Sequence, residues 1–195
     1  MRSFIALELP TEAKSAAAKI MAELKPSGAN VKWVKPQGLH LTLKFLGEVD
    51  PKRLPALCQA LARACAGRPP LGLGLAGVGA FPGPARPQVV WLGVTGQVPE
   101  LGELASAVEK EMEGLGFAPE NRPFRPHLTL GRLRRGRDKR ARPDTAGLSQ
   151  ALASLVAFKG PDFKADKVAL MKSTLTPAGA VYEQLHQIIL GRAGA

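Results

Sequence analysis

The sequence predicts an α+β fold, with antiparallel or mixed sheets flanked by helices. Three observations carry that reading. Segments with helical spacing alternate with short segments of alternating apolar residues. Several neighbouring strand segments are joined by connections too short for a parallel crossover, so they must run antiparallel. No Gly-x-Gly-x-x-Gly leads from a strand into a helix and no Walker sequence occurs; Gly72-Leu73-Gly74 simply continues as strand. A doubly wound nucleotide-binding sheet is therefore excluded.

In chain order, residues 3–8 (SFIALE) read as a first strand. Thr11 is a candidate N-cap, and TEAKSAAAKIMAEL keeps helical spacing to Leu24, where Lys25-Pro26-Ser27-Gly28 stops it. Residues 31–34 form a short strand. Residues 38–49 (GLHLTLKFLGEV) form a strong one, with Leu39, Leu41, Leu43 and Phe45 on one face and His40, Thr42 and Lys44 on the other. Asp50 then caps a helix that has Pro51 in its first turn and runs to Ala66. Strands follow at 71–79 and 88–94, separated by the turn-rich FPGPARP of 81–87. A helix over 99–115 has Gly116 at its C′ position. Residues 126–133 (PHLTLGRL) are the next strand, then a basic stretch from Arg134 to Arg142, a helix over 144–155, and strands at 166–173 and 181–190 around a turn at Pro177-Ala178-Gly179. The predicted order is β-α-β-α-β-β-α-β-α-β-β.

With 195 residues, 45% of them apolar, the chain suits one compact domain or two small lobes sharing a cleft. Glu8 interrupts the apolar run at the amino terminus, which argues against a signal peptide, and no stretch nears the ~18 apolar residues of a membrane span. A cytoplasmic monomer with no membrane partner is expected. Cys58 and Cys65 lie seven apart on one helical face and read as ordinary core or half-buried residues. Neither has a zinc-spaced partner, so no metal or other cofactor is expected. The net charge of +11 favours a polyanionic partner. Nine Lys or Arg residues and one acid, Asp138, lie between Arg122 and Arg142, a candidate nucleic-acid surface.

The chemistry concentrates in a repeated tetrapeptide. His-Leu-Thr-Leu occurs at residues 40–43 and again at 127–130, each time in a predicted strand. Period-two geometry puts each His beside the Thr two residues on, with the leucines pointing into a core. The β-α-β run before each copy is also roughly repeated, as in an internal duplication with a pseudo-twofold axis. If the two strands lie side by side, two His and two Thr face each other. Two imidazoles can act as acid and base in one reaction. Threonine hydroxyls and an arginine can hold a phosphate. Arg125 shares strand parity with His127 and Thr129. Arg132 has the opposite parity and reaches their face only through a bulge at Gly131. Lys44 has the parity of Thr42 and reads as solvent-facing. His186 has no Thr at plus two and reads as an ordinary strand residue.

These residues resemble the 2H phosphoesterase superfamily, defined by two His-x-Thr/Ser-x motifs. They are most similar to its RNA 2′,3′-cyclic phosphodiesterases, historically called 2′–5′ RNA ligases. The resemblance runs through 34–48, Gly79-Ala80-Phe81-Pro82, 122–132, Leu170-Met171-Lys172-Ser173 and Tyr182. It implies a two-lobed pseudo-twofold fold over residues 1–195, with one motif from each lobe around a central cleft. It implies hydrolysis of RNA terminal ribose 2′,3′-cyclic phosphate to a 2′-phosphomonoester without metal, and reversible, ATP-independent 2′–5′ joining of tRNA halves. His40 would protonate the departing O3′, His127 would activate water, and Thr42 and Thr129 would hold the phosphate. The family often carries an arginine after the second motif, which keeps Arg132 beside Arg125 as a phosphate or RNA contact. The near-symmetry of the motifs leaves open which histidine is acid and which is base. Two other readings stand beside this one: a phosphodiesterase for small nucleotides such as ADP-ribose cyclic phosphate, and a non-catalytic RNA-binding module.

The basic stretch generates a prediction of its own. Replacing several of the cations between Arg134 and Arg142 by Gln should weaken oligonucleotide binding and flatten its salt dependence, while turnover of a cyclic mononucleotide changes little. Equal losses on both substrates would show that the segment builds the reaction site.

Overall fold

A computed structural model describes residues 1–134, 145–176 and 179–192. Most of the Arg134–Arg142 stretch lies outside these residues, as does most of the predicted turn at Pro177. Within them the elements are β1 (Arg2–Glu8), α1 (Thr11–Leu24), β2 (Val31–Trp33), β3 (His40–Glu48), α2 (Leu54–Cys65), β4 (Leu71–Phe81), β5 (Val89–Gly96), α3 (Val98–Gly114), β6 (His127–Leu133), α4 (Ala146–Ser154), β7 (Lys159–Ala165), β8 (Lys167–Thr176) and β9 (Gly179–Ile189). The α+β class is as expected. Every ladder among the described residues is antiparallel, so the mixed alternative falls away. None of the described helices is long and apolar enough to cross a membrane.

The strands join in the order β7-β4-β5-β6-β3-β1-β8-β9, with β2 added on β6. That order is symmetric about the β6–β3 boundary. The ladders β1–β3 and β5–β6 match residue for residue: Leu7 opposite Leu41 corresponds to Leu92 opposite Leu128, and Ala6 opposite Thr42 to Trp91 opposite Thr129. The helices obey the same operation, since α1 packs on α4 and α3 on α2. The two halves meet where Leu41 of β3 pairs with Leu128 of β6. Both leucines are fully buried, and a one-residue slip would turn each motif inside out.

Several local expectations change. Thr11 is the first helical residue and not the cap; the cap position is Pro10, whose fixed φ of −70° sets the chain up to enter the helix. Asp50 does cap, accepting from the Lys52 N–H, but the turn it starts is a 3₁₀ turn before α2. Strand β7 is not among the predicted elements: KGPDFKA holds Gly and Pro and buries only Phe163 and Ala165. It forms because β4 offers it an open edge.

The larger correction concerns β3. Its alternation breaks after Thr42, because Thr42 pairs with Ala6 while Lys44 pairs with the next residue back, Ile5. Leu43 is the extra residue of a bulge, which reverses the facing beyond it. Lys44 therefore points into the protein, with 5% of its surface exposed, and Phe45 points out, with 62% exposed. The Lys44 ammonium is held by Glu109 of α3 at 2.6 Å and by the Ala118 carbonyl at 3.0 Å. Glu109 also accepts from the backbone N–H of Glu120, so this ion pair ties β3 to the segment leading towards β6.

Removing one partner of such a pair strands a desolvated charge, whereas an apolar replacement of the buried partner avoids that cost. Glu109→Ala should therefore lower the unfolding free energy by about 3 kcal/mol, the low end for a broken buried pair because the Glu109 side chain keeps 26% of its surface exposed, and Lys44→Met by clearly less. Urea denaturation followed by circular dichroism gives the comparison; the reverse ranking would mean the ammonium is well solvated.

Candidate active site

The paired strands place the two motifs against one another. With Leu41 opposite Leu128 in an antiparallel register, the next residues place His40 across from Thr129 and Thr42 across from His127. The leucines between them are buried, and both histidines and both threonines are half-buried on the opposite face. Each histidine is held the same way. The Nδ1 of His40 lies 2.8 Å from the Gly38 carbonyl, and the Nδ1 of His127 lies 2.7 Å from the Arg125 carbonyl. A carbonyl can only accept, so Nδ1–H donates in both rings and Nε2 carries the free lone pair of the neutral form.

Aromatic side chains fix the ring planes. Phe4 of β1 lies against His40 with centroids 4.6 Å apart, and Tyr182 of β9 meets it edge-on at 5.0 Å. Phe81, at the end of β4, meets His127 edge-on at 5.0 Å and packs on Trp91. Burial lowers the proton affinity of His40; its Nδ1 bond to Gly38 opposes this and the nearby Lys14 charge adds to it. Burial raises that of the Tyr182 phenol, while Arg132 and Arg2 pull it down. The Arg132 and Arg2 charges are therefore felt at Tyr182, which packs on His40.

The arginines sort themselves differently from their strand parity. The β5–β6 ladder skips Leu130, since Thr129 pairs with Trp91 and Gly131 with Val90. That bulge turns Gly131 inward and Arg132 onto the face of His127 and Thr129, which meets the condition for Arg132 although the extra residue is Leu130 itself. It is the counterpart of the Leu43 bulge, so Arg132 occupies the position of Phe45. Arg125 lies before β6 with its side chain exposed, and the contact it makes with the site is through its carbonyl. Arg2 and Phe4 escaped the sequence reading. In β1 only parity could have found them: Arg2, Phe4, Ala6 and Glu8 fall on one side of the strand, while burial runs unbroken from Ser3 to Leu7. His186 sits on β9 opposite Leu170, away from both motifs in the sheet order. Cys65 is buried, its thiol pushed up to about 11 by desolvation, and Cys58 is partly covered, in keeping with structural roles. Among the described residues no three His, Cys, Asp or Glu side chains converge to hold a metal.

Comparison with known proteins now decides the family. The model of the LigT-like phosphoesterases matches twice in succession, over residues 7–91 and 92–182. The chain belongs to this phosphoesterase family. Each match contains one His-x-Thr motif, so the duplication seen in the sheet is also present in the family pattern. The chain is 34% identical to an RNA 2′,3′-cyclic phosphodiesterase of Methanothermobacter thermautotrophicus, covering 95% of this chain and 96% of that one. It is 36% identical to one of Archaeoglobus fulgidus, covering 95% and 98%. Among solved structures, a Thermus thermophilus protein superposes with a TM-score of 0.78 at 31% identity, over 97% of this chain and 98% of that one. Escherichia coli LigT complexed with 3′-AMP superposes with a TM-score of 0.75 at 26% identity, over 98% of each chain.

The depressed proton affinity of His40 has a definite sign in stability. The folded state takes up the proton at lower pH than the unfolded state does, so between the two values the unfolded chain binds more protons. Stability should fall as pH drops through the ordinary imidazole range and level off below the folded value. His40→Gln should remove that part of the slope. Histidine NMR titration should show His40 protonating below the ordinary imidazole value, with the proton of its neutral form on Nδ1; a neutral Nε2–H tautomer would refute the geometry.

Proposed function

We propose that this phosphoesterase opens the terminal ribose 2′,3′-cyclic phosphate of RNA to a 2′-phosphomonoester. The observation that carries the reading is the matched pair of imidazoles, each with Nδ1 tied to the carbonyl two residues back and Nε2 without a hydrogen-bond partner among the described residues. Two such groups, each beside a threonine, suit an in-line displacement at phosphorus. His127 takes a proton from water as its oxygen bonds to phosphorus. The P–O3′ bond breaks, and His40 protonates the departing O3′. Thr42 and Thr129 donate to the non-bridging oxygens, and Arg132 offsets their charge. Arg125 contributes at the entrance, towards RNA. The lowered proton affinity of His40 makes it a stronger donor once charged, and the bound phosphate favours that charged form. No step calls for a metal or other cofactor.

The names of the relatives supply the substrate class, and the net charge of +11 supports an RNA over a small neutral ligand. With the 5′-hydroxyl of a second RNA end in place of water, the same displacement forms a 2′–5′ linkage and needs no ATP, because the cyclic ester is the activated group. Both histidines come from one chain, so a monomer forms the whole site. We take residues 1–195 as one functional unit in which each half supplies one His-x-Thr motif.

The test is kcat/KM on an oligonucleotide ending in 2′,3′-cyclic phosphate, from pH 5 to 9, with EDTA present throughout. The rate should follow a bell in pH and persist in EDTA. One limb should lie at higher pH in kcat than in kcat/KM, because bound phosphate favours the charged form of His40. His40→Ala and His127→Ala should each lose on the order of 10²-fold or more, and the double variant little beyond either single one. His186→Ala should match the wild type. Loss of activity in EDTA, restored by a divalent ion, or substantial turnover by either folded motif variant, would overturn the paired-histidine mechanism. Tight RNA binding without turnover would favour a binding module.

A further inference from the structure

A cleft of about 150 Å³ opens beside His40, lined by Ala6, Glu8, Lys14, Gln37, the histidine itself and Tyr182 among others. It is below the ~300 Å³ at which pockets begin to enclose a drug-sized molecule, so it suits a single heterocycle. Glu8 lies directly across from His40 in the β1–β3 ladder, on the face that carries Phe4 and Ala6. It does not orient the imidazole, because the His40 Nδ1 bond goes to Gly38. Glu8 and Lys14 share the cleft, and neither has an ion-pair partner there or elsewhere among the described residues. A carboxylate at the edge of a site for phosphate repels the substrate unless it has its own recognition task.

The second half of the molecule lacks this feature. The residue across from His127 is Gly93, and the Ala76 carbonyl fills the space where its side chain would begin. The two motifs match in backbone and differ here. An in-line displacement puts the attacking water and the departing O3′ on opposite sides of phosphorus, so the nucleoside lies on the side of the histidine that protonates O3′.

We propose that the Glu8–Lys14 cleft beside His40 is a nucleobase subsite selective for guanine at the cyclic-phosphate terminus. This rests on the phosphodiesterase reading above. Guanine alone among the four bases presents two adjacent donors, N1–H and N2–H₂, to both oxygens of a carboxylate, with the O6 acceptor next to them for an ammonium. Adenine and cytosine offer a single donor group beside a ring acceptor that the Glu8 carboxylate repels. Uracil offers one N–H between two carbonyls, which sets an acceptor against the second carboxylate oxygen. Tyr182 walls the cleft with its ring and Lys14 supplies the donor.

The experiment compares kcat/KM for the 2′,3′-cyclic phosphates of guanosine, adenosine, cytidine and uridine. Calorimetric binding of 2′-GMP and 2′-AMP, which needs no turnover, runs alongside. The wild type should favour guanosine by on the order of tenfold, chiefly through KM. Glu8→Gln and Lys14→Gln should each compress that ratio towards one. Equal kcat/KM on all four nucleotides, or a guanosine preference that survives Glu8→Gln in folded protein, overturns the proposal. The two readings fail separately. If no cyclic phosphate is opened but 2′-GMP still binds better than 2′-AMP and Glu8→Gln removes the difference, the phosphodiesterase reading falls and the guanine subsite stands. If all four are opened with equal kcat/KM, the reverse holds.

Discussion

One contact between two strands holds the site together. Leu41 and Leu128 meet at the junction of β3 and β6, and both are sealed into the core. A strand has a side-chain period of two, so burying these leucines commits the residues on either side of each to the other face. His40, Thr42, His127 and Thr129 thereby become neighbours, although 87 positions separate the two histidines (127 − 40) in the sequence. The outer strands and the helices extend from this junction in symmetric order. The packing that keeps the leucines dry is also what keeps the histidines in register.

The duplicated backbone has been put to unequal uses. Each motif strand carries one extra residue just past its threonine, Leu43 in one half and Leu130 in the other. Each bulge reverses the facing that follows. In the first half this buries Lys44, where Glu109 neutralises it, and exposes Phe45. In the second half the inward position is Gly131, against Val31 and Trp33, and the outward one is Arg132. The same geometry therefore supplies an aromatic ring on one side and a cation on the other. Glu8 and Gly93 diverge in the same manner. Near-symmetry provides two imidazoles in matching orientation, and its local failures make the two sides of the site chemically different.

Much of this is legible in the sequence. The repeated His-Leu-Thr-Leu is a local pattern whose meaning depends only on strand periodicity, and the leucines report the buried face without reference to the rest of the fold. That several neighbouring strands run antiparallel follows from connection lengths, and most element positions from apolar spacing. β7 is not legible, because Gly160 and Pro161 disfavour a strand and only the open edge of β4 overrides them. Lys44 departs from its sequence reading for a related reason: a charged residue is placed outside by default, and nothing near it in sequence announces the Glu109 partner 65 residues on.

The pair of histidines, their threonine neighbours and the α+β class follow from the order of residues alone, because each of these is encoded within a short segment by side-chain period and turn chemistry. What surrounds the histidines is settled by long-range packing. The bulges that turn Arg132 outward and Lys44 inward depend on how β5 and β1 align with their neighbours. The burial that lowers the proton affinity of His40 comes with Phe4 and Tyr182, brought to it by strands from both ends of the chain. The cleft holding Glu8 and Lys14 combines a strand, a helix and a distant hairpin. Register, desolvation and cavity shape arise from contacts between segments remote in sequence, which no local pattern of residues records.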